Sequence, residues 1–355
     1  MITLHQLLKA AVKQGASDLH IVSGSPPVLR VEGRIVRVKA PEMTSDQTRQ
    51  LCYSILTDAQ KSRFEATKEL DFSFGIKSMA RFRANLFFQR GAVSGVFRRI
   101  PIDIPDIEQL GLPPIVSEIV NAPTGLVLVT GPTGSGKSTT IAALIDKINR
   151  ERRSHIMTLE DPIEYVHPHK SCIVNQREVG IDTVSYRAAL KHVLRQDPDV
   201  CMMGEMRDLE TIDAALTICE TGHLVFATLH TNSAISTITR IVNVFPPEQQ
   251  ERVRVQLSLT LNMIVSQRLI QSTQGGVVAA LEVLVMNSSV RNLIREDKLH
   301  QVYGIMQVGQ DKSGMMTLNQ SLLKLVLKRK IDVRNAFFNS SNPDELDKML
   351  KAAGV

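Results

Sequence analysis

With 355 residues, 43% hydrophobic and 22% charged, the chain is long for one domain and comfortable for two, and it can bury a sizeable core without disulfides or metal. A net charge of +6, from 42 Lys+Arg against 36 Asp+Glu, is too mild to argue for nucleic acid as a partner. No apolar run approaches the roughly 20 residues needed to cross a bilayer, so direct membrane insertion is not expected and a cytoplasmic location is the default. Cys52, Cys172, Cys201 and Cys219 are scattered, form no C-x-x-C pair and sit beside apolar residues, as small buried hydrophobes do in a reducing compartment.

The first seventeen residues carry Leu4, Leu7, Leu8, Ala11 and Val12 at helical spacing, interrupted by His5, Lys9 and Lys13. That pattern predicts a surface helix and not a secretory signal. Two alternating runs follow, 18–22 and 28–38, the second broken at Glu32 and Gly33 as in a hairpin. Thr44 is placed to cap a helix over about 45–56, and Asp58 another to about 67. Residues 71–74, 80–89 and 91–99 alternate apolar with polar like a half-buried antiparallel meander, and Phe72, Phe74, Phe82, Phe87, Phe88 and Phe97 point to one core. Arg81, Arg83, Arg90, Arg98 and Arg99 crowd this meander, as a solvated basic face or as guanidinium groups for phosphate. Two prolines in 100–106 break both periodicities, which suggests domains at 1–100 and 112–355 with a linker at 101–111.

Residues 126–129 are wholly apolar and read as a buried strand, followed at once by Gly131, Gly134, Gly136, Lys137 and Ser138. This is the G-x-x-x-x-G-K-[ST] phosphate loop. Glycines let backbone N–H groups approach a polyphosphate, Lys137 supplies a point charge, Ser138 an oxygen for Mg2+, and a helix starting near Lys137 aims its dipole at the anion. Thr133, Ser135 and Thr139 complete the expected nucleotide contacts. Ile141, Leu144, Ile145 and Ile148 recur at helical spacing after the loop, so strand, loop and helix come in the required order.

Strand and helix patterns then alternate, with strands at 126–130, 156–159, 200–203 and 224–228, the signature of a mostly parallel sheet covered by helices. Each later strand meets a polar group at the carboxyl edge, where such sheets place ligands. Glu160, first past a strand, is positioned to orient a water on a γ-phosphate. The strand at 200–203 runs into Gly204 where an acidic residue is usual, leaving Glu205 for the Mg2+ shell or the water. His230 follows the last strand as a candidate γ-phosphate sensor, while His223, ahead of that strand, is as well explained by packing.

Together these motifs resemble the secretion ATPase superfamily of type II and type IV systems, and more closely the PilT-like type IV pilus retraction ATPases. The resemblance rests on residues 15–20, 131–140, the acidic box 159–166, 195–199 with 204–208, the histidine box 221–231, and 290–296. The last stretch departs from the usual Ala-Ile opening of the retraction signature, with Ser289 and Val290 in those two places. The resemblance implies an α/β fold with a PAS-like N-terminal domain and a RecA-like phosphate-loop domain ending in a helical region. It implies ATP and Mg2+ as cofactors, Glu160 as catalytic carboxylate, Glu205 in the second motif, His230 as sensor, and Arg83 and Arg98 as arginines on the nucleotide. It implies a homohexamer at the cytoplasmic face of the inner membrane, working on an inner-membrane pilus platform protein, with a paralogous retraction ATPase as a further candidate partner.

Pilus-extension and type II secretion ATPases are the nearest alternative, but those relatives generally carry a four-cysteine zinc element and a longer N-terminal region. A small-molecule kinase would leave the histidine box and the arginine meander without a task. The amphipathic stretch 316–330, with Leu318, Leu322, Leu325 and Val326 inward and a basic end, is consistent with ordinary packing.

Overall fold

A computed structural model describes the whole chain except Met1, Glu32, Lys77, Ser78, Pro101, Ile102, Gln310, Asp311 and Lys312. The expected hairpin break at Glu32 and the start of the expected linker therefore lie outside the described residues. The chain divides into two compact units, one of Met1–Asp103 with Pro162–Val166, the other of Ile104–Asp161 with His167–Val355.

The first unit holds α1 (Leu4–Lys13), β1 (Asp18–Ile21), β2 (Val28–Val31), β3 (Arg34–Arg37), α2 (Ser45–Tyr53), α3 (Asp58–Thr67), β4 (Glu69–Ile76), β5 (Ala80–Gln89) and β6 (Ala92–Ile100). Its six strands form one antiparallel sheet in the order β3-β2-β1-β6-β5-β4. Each helix opens on a threonine whose hydroxyl takes a backbone N–H while a glutamine three residues on answers it: Thr3 with Gln6, Thr44 with Gln47, Thr57 with Gln60. Thr57, not Asp58, thus starts the third helix; Asp58 is its first residue and serves the dipole instead. Phe72, Phe74, Phe82, Phe88 and Phe97 share one core as expected, joined by Phe64 from α3, which stacks on Phe88 at 5.1 Å. Phe87 does not join it, because it falls on the odd-numbered, outward side of β5 with Arg81 and Arg83.

The second unit opens with a short helix α4 (Pro114–Glu118), then β7 (Gly125–Thr130), α5 (Lys137–Glu151), β8 (His155–Glu160), β9 (Ile173–Glu178), α6 (Tyr186–Val193), β10 (Val200–Met203), α7 (Leu209–Glu220) and β11 (Leu224–Leu229). It continues through α8 (Ala234–Asn243), α9 (Pro247–Thr260), β12 (Leu261–Gln271), β13 (Val277–Val285), α10 (Ser288–Arg295), α11 (Val302–Val308), α12 (Leu318–Leu327), α13 (Val333–Asn339) and α14 (Pro343–Ala352). Its RecA-like sheet has the order β13-β12-β7-β11-β10-β8-β9, parallel throughout except for β13 at one edge. All six residues of β7 are buried because both faces are covered. Leu126 and Leu128 pack with residues of α7, α8 and α9, and Val127 and Val129 with Ile141, Leu144, Ile145 and Ile148 of α5. The C-terminal helices bury Leu318, Leu322, Leu346 and Leu350 around Ile270 of β12. Three strands, β9, β12 and β13, had no counterpart in the sequence reading.

The chain first passes between the units after Asp103, inside the expected linker, and the rest of that stretch belongs to the second unit. Ile107 is buried there beside Val116 and Ile148, and Asp106 pairs with Arg150 at 2.6 Å. All four cysteines are buried and free. Among the described residues no helix is long and apolar enough to cross a membrane. Since Leu128 has no exposed surface at the centre of the sheet, Leu128→Ala is expected to destabilise the second unit by about 2–5 kcal/mol, read from its chemical denaturation midpoint.

Candidate active site

The site is a row of carboxyl-terminal strand ends. Parallel pairing sets Thr130 of β7 beside Leu229 of β11, Ala227 beside Met203 of β10, and Met203 beside Leu159 of β8, so the segments that leave these strands emerge along one edge.

From β7 the chain enters the phosphate loop, where Gly131, Gly134 and Gly136 have φ of 144°, 80° and 86°. Gly131 could not be anything larger, since a Cβ there would meet the Gln267 carbonyl oxygen at 2.3 Å. Gly136 is the N-cap of α5 and offers no side chain, and the first helical turn holds no carboxylate. Lys137 turns back and donates its Nζ to the carbonyls of Gly131 at 2.9 Å and Pro132 at 3.0 Å. The Ser135 hydroxyl is buried without a hydrogen-bond partner, while Thr133 and Gly134 are exposed at the loop's apex and Ser138 and Thr139 half-buried in the first turn of α5. An orphaned hydroxyl, a helix N-terminus and a buried ammonium around a glycine-rich turn fit a polyphosphate with its Mg2+.

Glu160 is the last residue of β8 rather than the first past it, and only 4% exposed. Its Oε1 accepts from the Thr158 hydroxyl at 2.7 Å and the Gln176 amide at 3.0 Å. Gln176, on β9, also accepts the backbone N–H of His167 at 2.7 Å. Beneath the strand end, Tyr186 donates its hydroxyl to the Leu159 carbonyl at 2.8 Å, and burial pushes that phenol well above its usual pKa. Gly204 packs on this corner: a Cβ there would lie 3.6 Å from the Cα of Glu160.

Glu205 and His230 come together. His230 Nε2 lies 3.1 Å from Glu205 Oε1, and Arg207 donates to Glu205 Oε2 at 2.8 Å. The Met206 N–H on the Thr228 carbonyl at 3.0 Å ties the two strand exits to each other. His223, by contrast, sits at the opposite, amino-terminal edge, its Nδ1 on the Ile218 carbonyl and the Thr221 hydroxyl, and takes no part.

Arg83 and Arg98 belong to the first unit, where they are directly opposed in the β5–β6 ladder. Arg98 pairs with the buried Asp18 at 2.8 Å, Arg30 lies 3.8 Å from the same carboxylate, and Arg83 is 3.9 Å from Asp71. Burial alone would raise the Asp18 carboxyl, but the bonds from Arg98 and Ser17 outweigh it and hold the group below its usual pKa. Sequence reasoning overlooked Gln176, Arg207, Asp18 and Gln267; only Arg207 and Asp18 lay inside motifs it had singled out.

A family model described as Type II/IV secretion system protein matches residues 1–329. The chain belongs to that family. Among its members, the type IV pilus retraction ATPase PilT of Pseudomonas aeruginosa is 49% identical over 96% of this chain and 98% of its own. The type IV pilus ATPase PilU of the same organism is 40% identical over 98% and 91%. A crystal structure of the pilus retraction motor PilT with bound ADP superposes with a TM-score of 0.93 at 50% identity, covering 98% of this chain and all of the other. The two-unit α/β architecture of this type II/IV secretion system protein is therefore that of the retraction motor.

The buried His167 side chain, whose Nδ1 has no hydrogen-bond partner, carries a pH dependence. Burial pushes the His167 imidazole from 6.5 down to about 4. Below pH 6.5 the unfolded chain takes up a proton that the folded chain refuses, so stability is lost as pH falls from about 6.5 to about 4, by ~3 kcal/mol in all. Denaturation midpoints across that range should fall steeply in the wild type and less steeply in His167→Gln.

Proposed function

We propose that this type II/IV secretion system protein is an ATP-hydrolysing motor that powers type IV pilus retraction. The observation that carries the reading is the phosphate loop on the same sheet edge as a buried carboxylate, Glu160, and a paired Glu205 and His230, in a chain 49% identical to a retraction ATPase over nearly its full length. Higher identity to the PilT relative than to PilU, 49% against 40%, favours the main retraction motor over its paralogue.

Lys137 and the loop backbone from Gly131 to Gly136, with Thr133, Ser135 and Thr139, bind the phosphates. Ser138 and Glu205 would hold Mg2+, which would supply charge neutralisation to the transferred phosphoryl group. Glu160 orients the attacking water, its carboxylate held in place by hydrogen bonds from Thr158 and Gln176. His230 responds to the γ-phosphate through its bond to Glu205. Arg83 and Arg98 supply guanidinium groups to the same nucleotide on the family resemblance. The motor is a homohexamer at the cytoplasmic face of the inner membrane, turning ATP hydrolysis into work on a pilus platform protein.

Lys137→Ala is expected to abolish phosphate release while leaving the chain folded; turnover retained in that variant would refute the site. Deleting the gene should leave cells with abundant surface pili and no twitching. Sparse pili on the deletion strain would instead place the protein among extension motors.

A further inference from the structure

The phosphate loop is moulded on a residue that lies 130 positions after it. Ser266 of β12 pairs with Thr130 of β7, so Gln267, still within β12, lies beside Gly131 where the chain leaves β7. Gln267 is 2% exposed and makes three separate contacts with the loop and its helix. Its backbone carbonyl occupies the space a Cβ on Gly131 would need. Its Nε2 donates to the Ser135 carbonyl at 2.6 Å and would lie 3.1 Å from a Cβ on Gly136. Its Oε1 accepts from the Thr140 hydroxyl, one turn into α5, at 2.9 Å. The amide's orientation follows from its partners, because the Ser135 carbonyl can only accept and must face the NH2.

We propose that Gln267 is a positioning residue for nucleotide: its amide sets the spacing of sheet, loop and helix N-terminus, and so the direction in which the loop offers its N–H groups. The inference rests on the nucleotide reading above and deepens it. A neutral side chain of this length bearing a donor and an acceptor side by side is required. Glutamate would set an oxygen against the Ser135 carbonyl, and methionine would fill the volume with neither bond. The backbone carbonyl of the same residue stands where a side chain at 131 would go, and its amide lies close to where one at 136 would begin.

The test uses the full-length chain, ADP titration in Mg2+ buffer, and steady-state ATP turnover. In Gln267→Met, ADP binding should weaken at least tenfold and KM for ATP rise by a similar factor, with kcat changed less. Gln267→Glu should bind poorly at pH 8 and recover toward wild type as pH falls to 6, where a protonated carboxyl regains a donor for Ser135; the wild type should show no such recovery. Thr140→Val, which keeps Gln267 and removes one partner, should weaken binding at least threefold and serves if the others fail to fold. Folded variants that bind ADP within twofold of wild type, with no acid recovery in Gln267→Glu, would overturn the proposal and leave the amide a core filler. A wild-type chain that binds no ADP would instead refute the nucleotide reading itself, and this inference with it.

Discussion

A loop that presents N–H groups to an anion must be held in place by something else, and here it is held largely through its carbonyls. Lys137 takes the carbonyls of Gly131 and Pro132, and Gln267 takes that of Ser135. Those oxygens are the groups a phosphate cannot use, so the anchor that Gln267 supplies does not compete with the ligand. The strand before the loop is covered on both faces of the sheet, and the helix after it packs on one of them. Both ends of the cradle are therefore seated in the packed core.

The acidic groups on the same edge divide into two environments. Glu160 is nearly sealed from water, and a buried carboxyl group must find hydrogen-bond partners, which Thr158 and Gln176 provide. Glu205 is more open and is held between the His230 ring and the Arg207 guanidinium, whose charge solvent partly screens. One carboxylate is fixed by burial and the other by partners that can let go, an arrangement suited to a water-positioning group beside a responsive one.

The first unit meets a different constraint. Arg98 stands directly across from Arg83 in an antiparallel ladder and Asp18 is the next residue in the same row, with Arg30 beyond it. Like charges opposite one another are unfavourable in a sheet. Asp18, buried in the row and bonded to Arg98, offsets that repulsion and keeps the guanidinium groups together on one face.

Local chemistry was legible from the chain alone. The loop, its strand and its helix, the threonine at the start of α2 and the phenylalanine core all follow from spacing, because glycine, proline and capping residues act within a few positions of themselves. Glu160, Glu205 and His230 were found as residues that follow apolar strands. The strand order, the pairing of Glu205 with His230, the burial of Glu160 against Gln176, and the place of Gln267 under the phosphate loop were not legible. These join residues 16 to 132 positions apart, and Gln176 and Gln267 stand on β9 and β12, strands whose own sequences carry no phosphate, acid or metal signature. Periodicity states which face of an element is apolar; only packing states which other element covers it, and the contacts that shape this site lie between elements.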